Sequence, residues 1–300
     1  MKRFFSAAGV VLLGLGAWGT GVEPRLLLDA RRVEAPVPNL PPAWEGRTVA
    51  LLSDFQVGMW GGNVAMAERA VREAVGAGAA ALLFAGDFVY QPDSAEVDRA
   101  VGVLRPALAA GVPVVAVLGN HDHSLMHRDS EISPEMAGYL RERLEAVGVR
   151  VLRNEATALD GGLHVVGIGS VWAEYSDPDA ALQAVPDSVP RIALMHNPTS
   201  FREIAAGAAP LALAGHTHGG QIRVLPGRSE SWLDIVEPGE VVADGWAADS
   251  IGAPGNRLYV TRGIGFSGVP VRINCRPELT LLTLRAAPAT SSSARRGASG

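Results

Sequence analysis

One pattern recurs along the middle of the chain: a short apolar run that ends in a small residue followed by a polar one. The runs are TVALLSD (48–54), AALLFAGD (80–87), PVVAVLGN (113–120), RIALMHN (191–197) and PLALAGH (210–216). Apolar runs of this length without alternation are typical of strands that are buried on both faces. The pattern therefore predicts five buried strands, each with its polar terminus at the C-terminal end.

Amphipathic segments lie between and after the first three runs and predict helices. An apolar stripe over 64–75 follows Asn63 as a cap, and a second stripe opens at Asp93 and is kinked or ended by Pro106. A third begins at Ser133, just before a first-turn proline. Alternating strands and helices are typical of α/β folds, whose ligands gather at the C-terminal ends of the strands. We therefore expect the five polar termini to converge on one edge.

The later segments are β-rich and have little helix between them. They read VRVLRNEAT, GLHVVGIGSV, NRLYVTRGIG and PELTLLTLR, and they predict a second, mixed sheet. The fold class is therefore α/β, with two mixed β-sheets face to face and helices outside, a four-layer α-β-β-α sandwich.

The two ends of the chain predict regions outside this folded unit. Residues 1–22 carry a basic pair and then no charge from 4 to 22, as in a membrane anchor or signal segment. Residues 23–45 include EAPVPNLPPAW and predict a Pro-rich, extended linker. The folded domain then spans 46–286, and 287–300 lacks bulky apolar residues, which predicts a disordered tail.

The basic pair also predicts a location. With Lys2 and Arg3 retained in the cytoplasm, the chain would lie at the cell membrane with its folded domain outside the cytoplasm. Arg25, Arg31 and Arg32 on the far side weaken this orientation. If the segment is cleaved, the domain is secreted. The sequence carries no signal that predicts an oligomeric state.

Charge and cysteine content exclude other classes of protein. With 26 basic and 31 acidic side chains, the chain lacks the basic surplus of most nucleic-acid-binding proteins, so we expect no stable nucleic-acid partner. A single cysteine excludes intramolecular disulfides and a cysteine-rich metal site.

The polar termini of the five strands bring together carboxylates, amides and imidazoles. Such oxygen and nitrogen ligands without thiolate suit manganese, iron or zinc. The set is too large for one tetrahedral site and predicts two divalent metal ions, an arrangement suited to phosphoester hydrolysis. The candidate ligands are Asp54, Gln56, Asp87, Asn120, His196, His216 and His218.

The order of these motifs resembles that of the calcineurin-like metallophosphoesterase superfamily, namely D-x-H, G-D-x-x, G-N-H-D, an isolated H and G-H-x-H. The chain has DFQ (54–56), GDFV (86–89), GNHD (119–122), His196 and GHTH (215–218). It is also similar to the bacterial membrane- or wall-associated YkuE-like branch in its N-terminal segment, its GHTHGGQ continuation and its LYVTRGIG ending. Five motifs in order are strong evidence where one would be weak.

The resemblance implies the calcineurin-like phosphoesterase fold and a ligand assignment. One metal would be held by Asp54, Asp87 and His218, and the other by the four residues Asp87, Asn120, His196 and His216. A metal-bridging hydroxide would attack phosphorus in line.

The resemblance also implies two catalytic residues. His121 would protonate the leaving oxygen or stabilise the transition state, and Asp122 would orient the His121 ring.

Gln56 departs from the family pattern, which has histidine at this position. An amide oxygen is a weaker ligand than imidazole, so we interpret Gln56 as a ligand that tunes the first metal. One alternative is a metal-binding scaffold with negligible turnover. Another is a soluble secreted phosphatase or phosphodiesterase. The resemblance allows phosphomonoesters, phosphodiesters and pyrophosphates of small molecules or lipids, and the N-terminal segment favours lipid-linked or envelope phosphates.

Three further residues receive plainer interpretations. His123 and His127 follow the GNHD motif and are expected as solvent-exposed loop residues. Arg262 is interpreted as a surface arginine, with contact to a substrate phosphate as the alternative.

Overall fold

The computed structural model describes residues 2–127, 130–223, 231, 233 and 242–288 of the 300-residue chain. The strands are β1 (Asp29–Pro38), β2 (Thr48–Leu52), β3 (Ala81–Phe84), β4 (Val114–Ala116), β5 (Arg150–Val151), β6 (Glu155–Ala158), β7 (His164–Gly167), β8 (Arg191–Leu194), β9 (Ala212–Ala214), β10 (Gly245–Trp246), β11 (Leu258–Val260) and β12 (Glu278–Ala287). The α-helices are α1 (Lys2–Ala17), α2 (Glu23–Leu26), α3 (Val64–Gly76), α4 (Ser94–Val103), α5 (Arg105–Ala109), α6 (Pro134–Ala146) and α7 (Pro178–Gln183).

The described strands form two mixed sheets of six strands each. The order in the first sheet is β1-β12-β2-β3-β4-β5, and in the second β10-β11-β9-β8-β7-β6. Neighbours from β2 to β5 are parallel, as are those from β7 to β9 and the β9–β11 pair. The antiparallel pairs are β12–β2, β6–β7 and β10–β11.

The side chains of β2 point alternately into two different cores, and both cores are buried. This explains why the apolar runs do not alternate between polar and apolar residues. Val49 and Leu51 pack in the core between the two sheets, and Ala50 and Leu52 pack in the core beneath the helices. All four side chains are fully buried. A third core on the outer face of the second sheet includes Leu182 of α7. The predicted four-layer α-β-β-α sandwich is confirmed.

The helix boundaries follow the sequence signals in most places. The Asp93 carboxylate accepts a 2.9 Å hydrogen bond from the backbone N–H of Glu96, as an N-cap does. Pro106 lies in the first turn of α5, directly after the end of α4, so the predicted interruption is confirmed. Asn63 occupies the N-cap position of α3, but its side chain donates to the carbonyl of Pro24 instead.

The prediction of an extended linker over 23–45 needs correction, because much of this segment is folded into the domain. All ten residues of β1 pair in parallel with β12. Ala35 and Val37 are fully buried in the core between the sheets. The prolines at 36 and 38 are compatible with a strand here because β1 is at the edge of its sheet and has one neighbour.

The assignment of strands to sheets is also corrected. PELTLLTLR forms most of β12, which lies inside the first sheet between β1 and β2. The runs that end at 197 and 216 instead form β8 and β9 of the second sheet. VRVLRNEAT is divided, with β5 in the first sheet and β6 in the second. Pairing over such long sequence distances leaves no local signal.

Two observations concern the ends of the chain. Within the described residues, no helix has both the length and the apolar character needed to cross a membrane. Ala287 still belongs to β12, and the rest of the expected tail from residue 289 onward lies outside the described residues.

Candidate metal centre

The candidate ligands lie in loops that follow five strands of two sheets, not of one. Asp54 and Gln56 follow β2, Asp87 follows β3 and Asn120 follows β4, all in the first sheet. The three candidate histidines follow β8 and β9 of the second sheet. The expectation of one shared edge is therefore wrong in detail. The centre is formed where the C-terminal ends of strands from the two packed sheets meet.

Most of these ligands have a backbone conformation that side chains disfavour. The left-handed region, with φ between 51° and 74°, is occupied by Asp54, Gln56, Asp87, His216 and His218. For residues other than glycine this region is strained, and such strain concentrates at functional sites where the surrounding structure enforces it. These sharp turns occur directly after the ends of β2, β3 and β9, where the candidate ligands meet.

Two glycines leave room for the carboxylates. A Cβ added at Gly119 would overlap the Asp87 carboxylate and lie 2.8 Å from its Cγ. A Cβ added at Gly215 would lie 2.8 Å from Oδ2 of Asp54. The glycines of the G-N-H-D and G-H-x-H motifs are therefore required by close approach to the acidic ligands.

Asp54, Asp87 and His218 form the first part of the centre. Their ligand atoms all lie within 4.8 Å of one another, and Nε2 of His218 is 3.4 Å from Oδ1 of Asp54. Gln56 joins this group, since its Nε2 donates to Oδ2 of Asp87 at 2.7 Å. That Gln56 is itself a metal ligand stays a prediction.

His196, His216 and Asn120 form the second part. Nε2 of His196 lies 3.0 Å from Oδ1 of Asn120, 3.2 Å from Nδ1 of His216 and 3.4 Å from Oδ2 of Asp87. Nδ1 of His196 donates to the carbonyl of Ala85 at 2.7 Å, which directs Nε2 toward the centre. Asp87 therefore contacts both parts, as the resemblance implies for a bridging ligand.

The chemistry of the donor set fits two divalent cations. Oδ1 of Asp54 and Oε1 of Gln56 are buried and have no hydrogen-bond partner among the described residues. A buried acceptor without a partner is costly, and a metal ion would satisfy both oxygens. The remaining donors are carboxylate, amide and imidazole groups, which suit manganese, iron or zinc.

Burial and the pairing of carboxylates with imidazoles set the charges of the centre. Burial raises the pKa of Asp54 to about 7, and the neighbouring charge of Asp87 acts in the same direction. Burial would raise the pKa of Asp87 too, but the charges of His196 and His121 outweigh it and hold the pKa below its usual range. Burial lowers the pKa of His218 well below its ordinary value, which keeps the ring in its neutral, metal-binding form.

His121 lines the space beside the two groups of ligands. Its Nδ1 lies 2.8 Å from the carbonyl of Tyr90 and donates to it, and the two rings stack with centroids 4.9 Å apart. Its backbone N–H donates to Oδ1 of Asp87 at 2.9 Å. Tyr90 therefore orients the His121 ring, a contact that the sequence motifs do not reveal.

The structure corrects the role expected for Asp122, because its carboxylate does not contact the His121 ring. Its carboxylate accepts hydrogen bonds from the backbone N–H groups of Asp87 at 2.9 Å, Val89 at 3.2 Å and Gly119 at 2.9 Å. These contacts tie the loop after β3 to the loop after β4. A carboxylate occupied in this way fixes the loops that carry the metal ligands, and the ring of His121 is held by Tyr90 instead.

Two other expectations are wrong. His123 is 4% exposed, with its ring 5.2 Å from that of Tyr175, so it is not a solvent-exposed loop residue. Arg262 is also buried; its guanidinium donates to Glu278 of β12 at 2.6 Å and to Asp29 of β1.

A buried arginine supports the loop that carries His218. Arg272 is fully buried, and its guanidinium donates to the carbonyls of His218 at 3.3 Å, Gly265 at 2.7 Å, Arg262 at 2.9 Å and Cys275 at 3.3 Å. Four carbonyls from three backbone segments, at 218, 262–265 and 275, are therefore held by one side chain. The sequence gives no signal for this role.

A cavity of about 430 Å³ opens beside the centre. Its lining combines Asp87, Asn120, His121, His216 and His218 with other residues, namely Tyr90, Met126, His127, Trp172, Thr217, Gly220, Gln221, Leu233, Ser267 and Gly268. His127 is exposed at its rim, as expected. The volume lies within the usual range for small-molecule sites.

The fold and the site together define a phosphoester hydrolase. The chain belongs to the calcineurin-like phosphoesterase family, whose sequence model matches residues 47–220. It is 36% identical over 207 residues to Phosphodiesterase YaeI of Escherichia coli K12, covering 68% of this chain and 69% of that protein. It is 28% identical over 214 residues to the uncharacterized metallophosphoesterase YkuE of Bacillus subtilis, covering 68% of this chain and 67% of that protein. A more distant relative is UDP-2,3-diacylglucosamine pyrophosphatase LpxG of Chlamydia trachomatis, 26% identical over 137 residues, covering 44% of this chain and 40% of that protein.

Proposed function

We propose that the protein cleaves phosphoester or pyrophosphate bonds with two divalent metal ions, manganese, iron or zinc. The observation that carries the proposal is the position of Asp87. Its carboxylate groups with Asp54 and His218, whose ligand atoms all lie within 4.8 Å of one another, and its Oδ2 also lies 3.4 Å from Nε2 of His196. A carboxylate between two groups of nitrogen and oxygen donors is the arrangement that a two-metal site requires.

The proposed ligands divide as the resemblance implies. Asp54, Gln56 and His218 hold the first ion and share Asp87 with the second, whose other ligands are Asn120, His196 and His216. Bound there, the ions supply Lewis acidity toward phosphoryl oxygens and a water molecule that is nucleophilic at neutral pH.

The amide of Asn120 is oriented for its proposed role. Its Nδ2 donates to the carbonyl of Leu125 at 3.0 Å, which leaves Oδ1 as the atom directed to the centre.

His121 is the proposed catalytic acid. Because its Nδ1 donates to the carbonyl of Tyr90, Nε2 is the ring nitrogen that holds or releases a proton at the leaving oxygen. The His121 ring lines the cavity that a substrate would occupy. Asp122 contributes indirectly, because it fixes the loops after β3 and β4.

Phosphodiesters and lipid-linked or envelope phosphates rank first as substrates. The names of two relatives, a phosphodiesterase and a pyrophosphatase of a diacylated sugar nucleotide, support these classes. Trp172, Met126 and Leu233 add apolar surface to a cavity that otherwise presents polar groups, which suits a phosphate carried on a larger apolar molecule. The proposed location is the cell membrane, with the catalytic domain outside the cytoplasm.

The test measures metal content and turnover together. Purified protein is loaded with manganese, zinc or iron(II), and hydrolysis of bis(p-nitrophenyl) phosphate and of p-nitrophenyl phosphate is measured for the wild type, Asp87→Asn and His121→Ala. We expect two ions per chain and turnover that Asp87→Asn abolishes, with His121→Ala retaining metal but losing rate. Asp179→Asn, an exposed acid-to-amide change in α7, is the matched control. Two bound ions without turnover of any ester would instead favour the metal-binding scaffold.

Gln56 has its own test. Gln56→His should tighten binding of one of the two ions, because imidazole is a stronger ligand than an amide. Unchanged stoichiometry, affinity and turnover in this variant would contradict contact between Gln56 and metal.

A further inference from the structure

Most of the exposed large apolar side chains that the structure describes lie in one region. Among the residues whose side chains the structure describes, nine large apolar side chains are exposed, and one of them, Val147, lies at the end of α6. The other eight lie on the N-terminal segment or on two loops beside it: Val10, Leu12, Leu13, Leu15, Trp18, Leu26, Trp60 and Val269. Isolated exposed apolar residues are normal, but a contiguous group indicates an interaction surface.

Specific contacts bring the two loops against the N-terminal segment. The guanidinium of Arg25 donates to the carbonyls of Gly61 at 2.6 Å and Gly62 at 2.9 Å. Gly61 also lies against Pro270, where an added Cβ would come within 3.3 Å. The backbone N–H of Arg272 donates to the carbonyl of Gly19 at 2.8 Å. Trp60 and Val269 therefore lie beside the point where α1 leaves the domain.

The distribution of apolar residues around α1 indicates what covers this region. Val10, Leu12, Leu13 and Leu15 are between 46% and 76% exposed. At about 100° per residue, these four positions point in directions spread around the whole helix axis. A folded protein partner covers one side of a helix, whereas lipid surrounds it. Exposed tryptophans next to such a helix are typical of the membrane–water interface.

We propose that Trp18, Leu26, Trp60 and Val269 form a docking face that rests on a lipid bilayer into which α1 inserts. Ser267 and Gly268, which directly precede Val269, line the cavity beside the metal centre. Docking therefore brings this rim of the cavity to the depth of the lipid headgroups. The reaction that takes place there rests on the proposed function, whereas the docking itself does not.

The test compares hydrolysis on vesicles with hydrolysis in solution. The full-length, manganese-loaded protein is given vesicles of phosphatidylethanolamine and phosphatidylglycerol that contain a lipid-linked p-nitrophenyl phosphodiester. Bis(p-nitrophenyl) phosphate is the soluble substrate. The variant is the double substitution Trp60→Ser and Val269→Ser, and the matched control is Val147→Ser, which also removes an exposed apolar side chain. Vesicle flotation is measured in parallel.

We expect the double variant to keep its soluble turnover and to lose at least about tenfold in the ratio of vesicle to soluble turnover. Val147→Ser should keep both. An unchanged ratio in the double variant, or an equal loss in Val147→Ser, would overturn the docking face. A changed oligomeric state in sedimentation with an unchanged ratio would instead assign the face to a second copy of the chain. If the wild type shows no soluble turnover but floats with vesicles, and the double variant floats less, the proposed function fails while the docking face stands.

Discussion

Replacing Arg272 by methionine tests whether one buried side chain holds the metal loop in place. Methionine approximates the length of the arginine stem but donates no hydrogen bonds. The substitution leaves the carbonyls of Gly265, Arg262 and Cys275 without the guanidinium, whereas the carbonyl of His218 keeps the N–H of Gln221 at 3.2 Å.

The magnitude follows from these contacts. Each buried carbonyl left without a partner costs about 1–3 kcal/mol. Three such groups give about 3–9 kcal/mol, which is reduced because the variant no longer buries a charge. We expect a net loss of about 3 kcal/mol in the free energy of unfolding, measured by urea denaturation of the metal-free protein. Since the side chain also supports the backbone of His218, we expect metal affinity to fall by about 10- to 100-fold.

Arg191 provides the matched control. It is the first residue of β8 in the second sheet and is 3% exposed, and its guanidinium donates to the carbonyl of Val185 at 2.6 Å and pairs with Asp187 at 2.7 Å. Arg191→Met should lose about 1–3 kcal/mol, because one buried carbonyl is left without a partner, while binding manganese with wild-type affinity in a titration of metal-free protein. If Arg272→Met binds both ions as the wild type does, or if Arg191→Met weakens metal binding equally, the positioning argument is refuted.

Three further predictions concern the same loops. Gly119→Ala should lower metal affinity by at least about tenfold while leaving the circular dichroism spectrum native, because the added methyl group overlaps the Asp87 carboxylate; wild-type affinity would contradict this. Asp122→Asn should cost about 2–4 kcal/mol in urea denaturation, because an amide cannot accept all three backbone N–H bonds; a loss under about 1 kcal/mol would show that one oxygen suffices. Manganese affinity should rise from pH 6 to pH 8, because Asp54 has a pKa of about 7 and its proton competes with the metal below that value; a titration that shows no pH dependence would contradict this.

The features that the sequence predicted correctly are those with a local signal. The runs at 48–54 and 80–87 do not alternate between polar and apolar residues because both faces of β2 and β3 are buried, and each run ends at a ligand. The helix cap at Asp93 and the interruption at Pro106 depend on neighbours within a few residues. Such features are visible in one stretch of sequence.

The features that the sequence missed depend on distant partners. The segment 29–38 resembles a Pro-rich spacer, and only its pairing with β12, more than 200 residues later, makes it a strand. The contact between His121 and Tyr90 joins positions 31 residues apart, and Asp122 acts on a loop more than 30 residues away. The contact expected between the neighbours His121 and Asp122 is replaced by these longer-range ones.

The metal centre and the stability of the domain are linked by the same geometry. Asp54 and Asp87 are buried side by side in left-handed backbone conformations, an arrangement that is unfavourable both for charge and for the backbone. In the metal-free protein, protonation of Asp54 removes part of this cost, and the raised pKa of Asp54 reflects this. Divalent ions would neutralise the carboxylates in the native state but find no such site in the unfolded chain, so they stabilise the fold by mass action. The strained turns therefore persist because Asp122, Arg272 and the packed sheets enforce them, and metal binding adds to a structure that is already prepared for it.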